Sequence, residues 1–188
     1  MSAVTSAFQH PGLPGSLLVW DTSPLLHAIK AGKIEILGDI ARNHQGRTRR
    51  NVTTQAVVSE ISHFRLPLAG TEWLEIVHVD DLTELEALVD WMNRVSGAKS
   101  NHGEATVLAW AEVHGATAVV DDADARRIGR GAGLDVRGSL RIVAESVGEG
   151  RTTPYVATGV VDAMIDTGAR YPFPRGQFIS WAKENGLL

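Results

Sequence analysis

The chain has 188 residues, of which 44% are hydrophobic and 21% are charged, and its formal net charge at pH 7 is −4. These values are typical of a single globular domain and exclude a fibrous or wholly disordered chain. The absence of cysteine excludes disulfides, thiolate zinc sites and cysteine nucleophiles. The acidic balance argues against a protein that coats nucleic acid without specificity, because such binding needs an excess of Lys and Arg.

The first 16 residues contain Pro11, Gly12, Pro14 and Gly15 without apolar periodicity, so we expect a flexible leader over residues 1–16. The sequence begins without a basic region that leads into an apolar core. No apolar run approaches the roughly 18–20 residues that a membrane span requires. We therefore expect a cytoplasmic protein that has no membrane partner.

The first predicted strand is the continuously apolar run at residues 17–20, which is typical of a parallel strand buried on both faces and ends at Asp21. Ser23 followed by Pro24 predicts the start of a helix, with Ser23 as the N-cap. Gly32 is expected to end this helix.

The rest of the chain alternates between predicted strands and predicted helices. Strands are predicted at residues 51–53, 73–79, 117–120 and 134–136. Helices are predicted at residues 34–41, 54–64, 82–95, 101–114, 122–130, 139–147, 155–167 and 177–185, and a loop at residues 42–50. The alternation predicts an α/β fold whose mainly parallel sheet has right-handed crossovers.

Two further expectations concern how these elements are arranged. We expect one domain over residues 17–150, with residues 151–188 as a C-terminal helical extension packed on it. The predicted helix at residues 82–95 is amphipathic. The residues on its apolar face are Leu82, Leu85, Leu88, Val89 and Met92.

Acidic residues follow two of the predicted strands: Asp21 comes after the first, and Asp121 and Asp122 come after the strand at 117–120. Because the carboxyl ends of parallel strands meet at one edge of the sheet, we expect these side chains to lie close together. Glu60 and Glu104 lie on predicted helices. Carboxylate oxygens are the ligands that Mg²⁺ or Mn²⁺ needs to act on a phosphodiester. The pattern therefore predicts a metal-dependent nuclease.

Each strand-end aspartate also has a structural interpretation. Asp21 is a possible helix cap, although Thr22 and Ser23 are available for that role. Asp121 and Asp122 repel each other unless a cation intervenes, and one of them is expected to cap the following helix. Asp122 is the preferred metal ligand and Asp121 the next.

The two glutamates have structural interpretations as well. Glu104 lies three residues after Asn101, which is the spacing of a capping box, so a structural and a functional role are equally supported. A single glutamate on a helix, such as Glu60, usually faces solvent.

The chain carries four acidic motifs in order: Asp21-Thr22-Ser23, Ser59-Glu60, Gly103-Glu104-Ala105 and Asp121-Asp122-Ala123-Asp124-Ala125-Arg126. Their order resembles that of the PIN-domain family, which includes the VapC-like toxin ribonucleases of toxin–antitoxin pairs. The stretch from Gly133 to Leu140 is similar to the branch with a double aspartate after a core strand. Many relatives have asparagine at the position of Ser59.

The resemblance implies a three-layer α/β/α sandwich and an Mg²⁺/Mn²⁺-dependent endoribonuclease, with an RNA substrate, a cognate antitoxin and a homodimeric assembly. The implied catalytic residues are Asp21, Glu60, Glu104 and Asp122, and the implied metal ligands are Asp21, Glu104, Asp122 and Asp121. Thr22, Ser23 and Asp124 are secondary candidates, and Arg126, Arg127, Arg49 and Arg50 are candidate RNA contacts.

Other functions remain open at this point. One is a non-catalytic PIN-like interaction module, and another is a metal-dependent phosphohydrolase with strand-end aspartates. The haloacid type of phosphohydrolase needs a second aspartate two residues after the first, where this chain has Ser23. A receiver-like domain needs a lysine after a later strand, and none lies between Lys99 and Lys183.

Overall fold

The computed structural model describes residues 15–68, 71–95 and 102–188. The strands are β1 (Leu17–Trp20), β2 (Asn43–His44), β3 (Arg47–Thr48), β4 (Arg50–Thr54), β5 (Glu75–Val77), β6 (Thr117–Val119) and β7 (Val136–Arg137). The helices are α1 (Thr22–Lys30), α2 (Ile34–Ala41), α3 (Gln55–Ser62), α4 (Leu82–Arg94), α5 (His102–His114), α6 (Ala123–Gly131), α7 (Ser139–Gly148), α8 (Pro154–Asp166) and α9 (Phe178–Glu184).

Five strands form a parallel sheet in the order β5-β4-β1-β6-β7. The central strand β1 is hydrogen-bonded on both sides, with Val19 opposite Val52 on one side and Ala118 on the other. Helices cover both faces of the sheet, and strand β1 is therefore buried. Its unbroken apolar sequence predicts this burial. The carboxyl ends of β1 and β6 therefore meet at one edge.

Helices cover both faces of this sheet. Helix α5 packs against β1, β4 and β6, and it also contacts α3 and α4. Helices α2, α7, α8 and α9 contact one another in succession, and α1 touches both α8 and α3. The predicted α/β/α sandwich with a parallel sheet is confirmed.

Two local predictions were wrong. The N-cap position of α1 is Asp21 and not Ser23, so the helix begins two residues earlier than the cap signal indicates. The basic segment at 42–50 is not a simple loop, because β2 and β3 pair as an antiparallel hairpin. Its turn contains Gln45 and Gly46, both with positive φ, as the tight two-residue turns of hairpins require.

The apolar face of α4 is not buried. Leu82, Leu85 and Val89 are 73%, 43% and 60% exposed. The residues of α4 that are buried are Glu84 and Trp91. Both have partners on α5, since the Trp91 indole donates to Glu112 at 2.6 Å and Glu84 pairs with His114 at 2.6 Å. These polar contacts, rather than the hydrophobic pattern, fix the rotation of the helix.

The tryptophans at 73, 91 and 110 are buried in the core and therefore do not offer surfaces on which nucleobases stack. Among the described helices, none has the length and apolar character needed to cross a lipid bilayer.

Candidate active site

A pocket of about 800 Å³ opens at the carboxyl ends of β1 and β6. It brings together acidic residues that are up to 101 positions apart in the chain. The residues that line it are Asp21, Thr22, Ser23, Leu26, His27, Glu60, His63, Phe64, Glu104, Asp121, Asp122, Gly168, Ala169, Arg170 and Tyr171. All five acidic residues predicted as catalytic or metal-binding therefore face the same pocket.

Asp21 is buried at the junction of β1 and α1. Burial is the main reason that the pKa of Asp21 rises from 3.8 to about 7, and the negative charges of Glu60 and Asp121 add to the rise. The backbone N–H groups of Thr22 and Ser23 lie close enough to lower this pKa in part, although the side chain makes no capping hydrogen bond. Among the described residues, the Asp21 carboxylate has neither a capping hydrogen bond nor a cationic partner, so a bound cation would stabilise its charged form.

Glu60 is held in place by two donors from other elements. The hydroxyl of Thr22 on α1 donates to one carboxylate oxygen, and the backbone N–H of Gly103 on α5 donates to the other at 2.8 Å. A Cβ at position 103 would lie 2.5 Å from a Glu60 oxygen. Glycine is therefore required at 103, because any side chain would occupy the space of this carboxylate.

Glu104 lies on the first turn of α5, directly after Gly103. Burial raises the pKa of Glu104 from 4.5 to about 8, with further contributions from the negative charges of the pocket. Those charges belong to Asp21, Asp122 and Glu60, in that order. The capping box predicted for Glu104 involves Asn101, which lies outside the described residues.

Asp121 and Asp122 take different roles. The carboxylate of Asp122 is exposed and accepts from the backbone N–H of Ala125 at 2.9 Å, so it caps α6. Asp121 accepts from the backbone N–H and the hydroxyl of Ser139, both at 2.7 Å. Burial raises the pKa of Asp121, and the hydrogen bonds from Ser139 lower it in part. The capping interpretation thus applies to Asp122, although it faces the pocket as well.

The chain after α8 forms one wall of the pocket. Residues 168–171 line it, and the hydroxyl of Tyr171 lies 3.2 Å from that of Ser139 and 3.5 Å from Asp121. The imidazole of His27 on α1 is 2.9 Å from the Thr167 hydroxyl, which ties this wall to the helix that follows Asp21. The C-terminal region therefore contributes directly to the pocket.

The rim of the pocket carries an aromatic ring and a cation. Phe64 is 51% exposed, and the Lys30 ammonium lies 4.7 Å from the centroid of its ring. An exposed aromatic ring beside a cation is a suitable surface for a nucleobase and its phosphate.

Several candidates from the sequence lie elsewhere. Asp124 pairs with Arg127 at 3.2 Å on the exposed side of α6, and neither lines the pocket. Arg126 donates to the Val120 carbonyl at 3.0 Å and lines the adjoining pocket that includes Asp121. Arg50 begins β4 and Arg49 directly precedes it, at the opposite edge of the sheet, where Arg50 pairs with Glu75 and Arg49 with Glu145.

Sequence reasoning did not predict eight of the residues that line the pocket, among them His27, Phe64, Arg170 and Tyr171. A signal existed for His27, which follows Ser23 by four positions and therefore shares a helical face with it. No local pattern marks Arg170 and Tyr171, since only the long-range packing of α8 and α9 brings them to the pocket.

The donor set suits a hard divalent cation, because it consists of carboxylate oxygens whose raised pKa values come from burial and mutual repulsion. Within residues 15–68, 71–95 and 102–188, however, no three acidic or histidine side chains are close enough to form a finished metal cluster. The pocket fits a cation in chemistry, and its carboxylates would have to move together to bind one.

Comparison with known families agrees with the fold. A PIN-domain model matches residues 17–176, and the chain therefore belongs to the PIN-domain family. The PIN domain is a nuclease fold, and its members are generally metal-dependent nucleases. No curated protein and no solved structure gave a match.

Proposed function

We propose that this protein is a Mg²⁺- or Mn²⁺-dependent endoribonuclease of the VapC-like branch, the toxin of a toxin–antitoxin pair. The observation that carries the proposal is the convergence of Asp21, Glu60, Glu104, Asp121 and Asp122 on one pocket. Membership of the PIN-domain family supports nuclease chemistry at this position. The toxin role rests on the similarity of the acidic motifs to that branch.

Asp21, Glu104 and Asp122, with Asp121 beside them, are the residues that would hold the cation. Without a cation, the raised pKa values of Asp21 and Glu104 keep both carboxyl groups partly protonated near neutral pH. Binding of the cation is therefore coupled to release of these protons, which makes affinity rise with pH. A bound divalent cation supplies Lewis acidity for the phosphate and lowers the pKa of water.

Glu60 acts mainly by position. Its two carboxylate oxygens are occupied by Thr22 and by the Gly103 N–H, so it holds the start of α1 against the start of α5. This contact fixes the separation of Asp21 from Glu104, which come one residue before Thr22 and one residue after Gly103. Ser23 lines the pocket beside them and is available to orient a water molecule.

The shape of the pocket favours a single-stranded nucleic acid. A volume of about 800 Å³ accommodates a nucleotide with its flanking phosphates. Phe64 offers an exposed ring on which an unpaired base stacks, and Arg170 also lines the pocket and supplies a cation for phosphate. Substitution of Phe64 by Ala should raise KM roughly tenfold and change kcat less, because stacking contributes to binding of substrate.

The experiment is to incubate the purified protein with labelled RNA and DNA strands of the same sequence, with Mn²⁺ and with a chelator. Asp21→Asn and Asp122→Asn should each lower metal-dependent RNA cleavage roughly a hundredfold or more. Asp39→Asn is the matched control, since that carboxylate is 74% exposed on α2 and outside the pocket. Metal-dependent cleavage that persists in both pocket variants would assign the activity elsewhere.

A non-catalytic PIN-like module is the second candidate, and one observation favours it: the described acidic residues do not form a finished metal cluster. Such a module would bind Mn²⁺ weakly or not at all by calorimetry and would leave RNA intact at every metal concentration.

The proposed partners are an antitoxin and a second copy of the chain. Expression of the protein alone should arrest growth, and coexpression of a neighbouring small gene product should relieve the arrest. Light scattering of the purified protein tests the homodimer.

A further inference from the structure

A second pocket, of about 730 Å³, lies at the amino-terminal edge of the sheet. Gly15 and Ser16 precede β1, and Arg49 precedes β4, so this pocket is separated from Asp21 by the length of β1, about 15 Å. Four arginines line it: Arg47, Arg49, Arg137 and Arg141. We call it the arginine pocket.

Arg49 is buried, and not all of its guanidinium nitrogens have a hydrogen-bond partner among the described residues. The residue is 3% exposed; its Nε donates to the Gly15 carbonyl at 2.8 Å, and its Nη2 donates to Glu145 at 2.7 Å. Among the described residues its Nη1 has no partner. Burial holds the pKa of Arg49 below its ordinary value. The buried guanidinium therefore keeps one donor for an acceptor from outside the described protein atoms, such as a water molecule or an anion.

The charges around the pocket do not balance. Among the described residues, five arginines, at 47, 49, 137, 141 and 151, lie near three carboxylates, those of Asp135, Glu145 and Glu149. Glu145 forms salt bridges with three of these arginines, Arg49, Arg137 and Arg141, at 2.7, 2.9 and 3.3 Å. Arg47 is exposed and has no side-chain partner in the described part of the chain. This pocket therefore has a surplus of two positive charges, although the net charge of the whole protein is −4.

The remaining groups near the pocket do not remove this surplus. His44 lines the pocket and contacts Glu149, so protonation of His44 would add to the positive charge. Arg151 donates to Glu149 at 2.8 Å and to the Ile40 carbonyl at 3.0 Å, while its Nη2 is buried and has no partner among the described residues.

We propose that the arginine pocket binds a phosphate group with two negative charges, either free or as the terminal phosphate of an oligonucleotide. A phosphate dianion matches the surplus charge, and its oxygens accept from several guanidinium donors at once. The exposed Arg47 and Arg141 provide the entrance, and Arg49 lies at the inner end. This site does not depend on the chemistry of the acidic pocket.

The test is calorimetric titration of the full chain at low salt and pH 7.5 with EDTA present, so that no cation in the acidic pocket can recruit phosphate. The ligands are inorganic phosphate, a 5′-phosphorylated trinucleotide and the same trinucleotide without the phosphate. We expect saturable binding of one phosphate group per chain and no binding of the unphosphorylated trinucleotide. Tighter binding of inorganic phosphate assigns the free anion, and tighter binding of the phosphorylated trinucleotide assigns the strand terminus.

The variant is Arg47→Ala with Arg141→Ala, and the matched control is Arg42→Ala with Arg175→Ala. The control removes the same charge at side chains that are 47% and 62% exposed, compared with 50% for Arg141. The pocket variant should weaken phosphate binding at least roughly tenfold more than the control does.

The proposal is overturned if neither phosphate ligand binds saturably, or if the two double variants bind phosphate alike. Thermal melts check that each variant is folded. Arg47→Ala alone serves if the double variant is unstable, because the exposed Arg47 side chain makes no hydrogen bond or ion pair with the described residues.

Discussion

Replacement of Asp21 by Asn should stabilise the protein when no metal is present. The rise of the Asp21 pKa from 3.8 to about 7 corresponds to about 4 kcal/mol of folding free energy at pH values above both pKa values. Asn removes the buried charge but also loses the attraction of the Thr22 and Ser23 N–H groups. We therefore expect Asp21→Asn to raise the free energy of unfolding by roughly 2–4 kcal/mol at pH 8.

The sign of the effect fixes its pH dependence. The folded-state pKa of Asp21 lies above the unfolded-state value, so the folded protein holds a proton that the unfolded chain releases. Stability associated with this group is fully present below pH 3.8 and is lost as pH rises to about 7. The advantage of Asn should thus be small near pH 4 and complete near pH 8.

Urea denaturation in EDTA, followed by circular dichroism at several pH values, measures this difference. Asp39→Asn is the control, because it removes an exposed carboxylate and should change stability by less than about 0.5 kcal/mol. Addition of Mn²⁺ should stabilise the unmodified protein more than Asp21→Asn. If Asp21→Asn lowers stability equally at pH 4 and pH 8 in EDTA, Asp21 does not carry a destabilising buried charge.

Two further predictions concern residues that support the pocket and the α4–α5 pair. Gly103→Ala should lower the free energy of unfolding by about 1–3 kcal/mol and lower activity, since its Cβ would lie 2.5 Å from a Glu60 oxygen. In the control Gly159→Ala, the new Cβ has nothing within 4 Å, so thermal melts should show a gain in stability of about 0.5–1 kcal/mol. Burial tends to raise the pKa of Glu84, but the hydrogen bonds from His114 and from the backbone N–H groups of Asp80 and Asp81 together outweigh burial and lower this pKa. Glu84→Gln should therefore cost about 1–3 kcal/mol at pH 7 and progressively less as pH falls below 4.5, unlike the exposed control Glu86→Gln in the same denaturation series.

The strand–helix alternation could be predicted from sequence because it depends on local periodicity. The apolar run at 17–20 and the helix signals after it need no knowledge of distant residues. The topology also predicts that Asp21 and Asp121 lie in one pocket, because they follow the ends of two neighbouring parallel strands.

Other features depend on contacts that no local pattern reveals. The apolar stripe of α4 predicts the wrong buried face, because Glu84 and Trp91 are fixed by hydrogen bonds to residues of α5. Glycine is needed at 103 because of the carboxylate of Glu60, 43 positions earlier, and no local pattern identifies that partner. The capping role of Asp122 was one of two open possibilities, and only the hydrogen bond to Ala125 decides which aspartate takes it.

The pocket wall formed by residues 168–171 bears on how shortened versions of this protein should be interpreted. A chain cut near residue 150 would keep the entire sheet and all five pocket carboxylates, yet Asp121 would lose the Tyr171 hydroxyl and much of its shelter from solvent. Its acidity would move back toward that of a free aspartate. Loss of cleavage after such a deletion would therefore reflect an altered pocket. It would not show that the C-terminal region has a separate function.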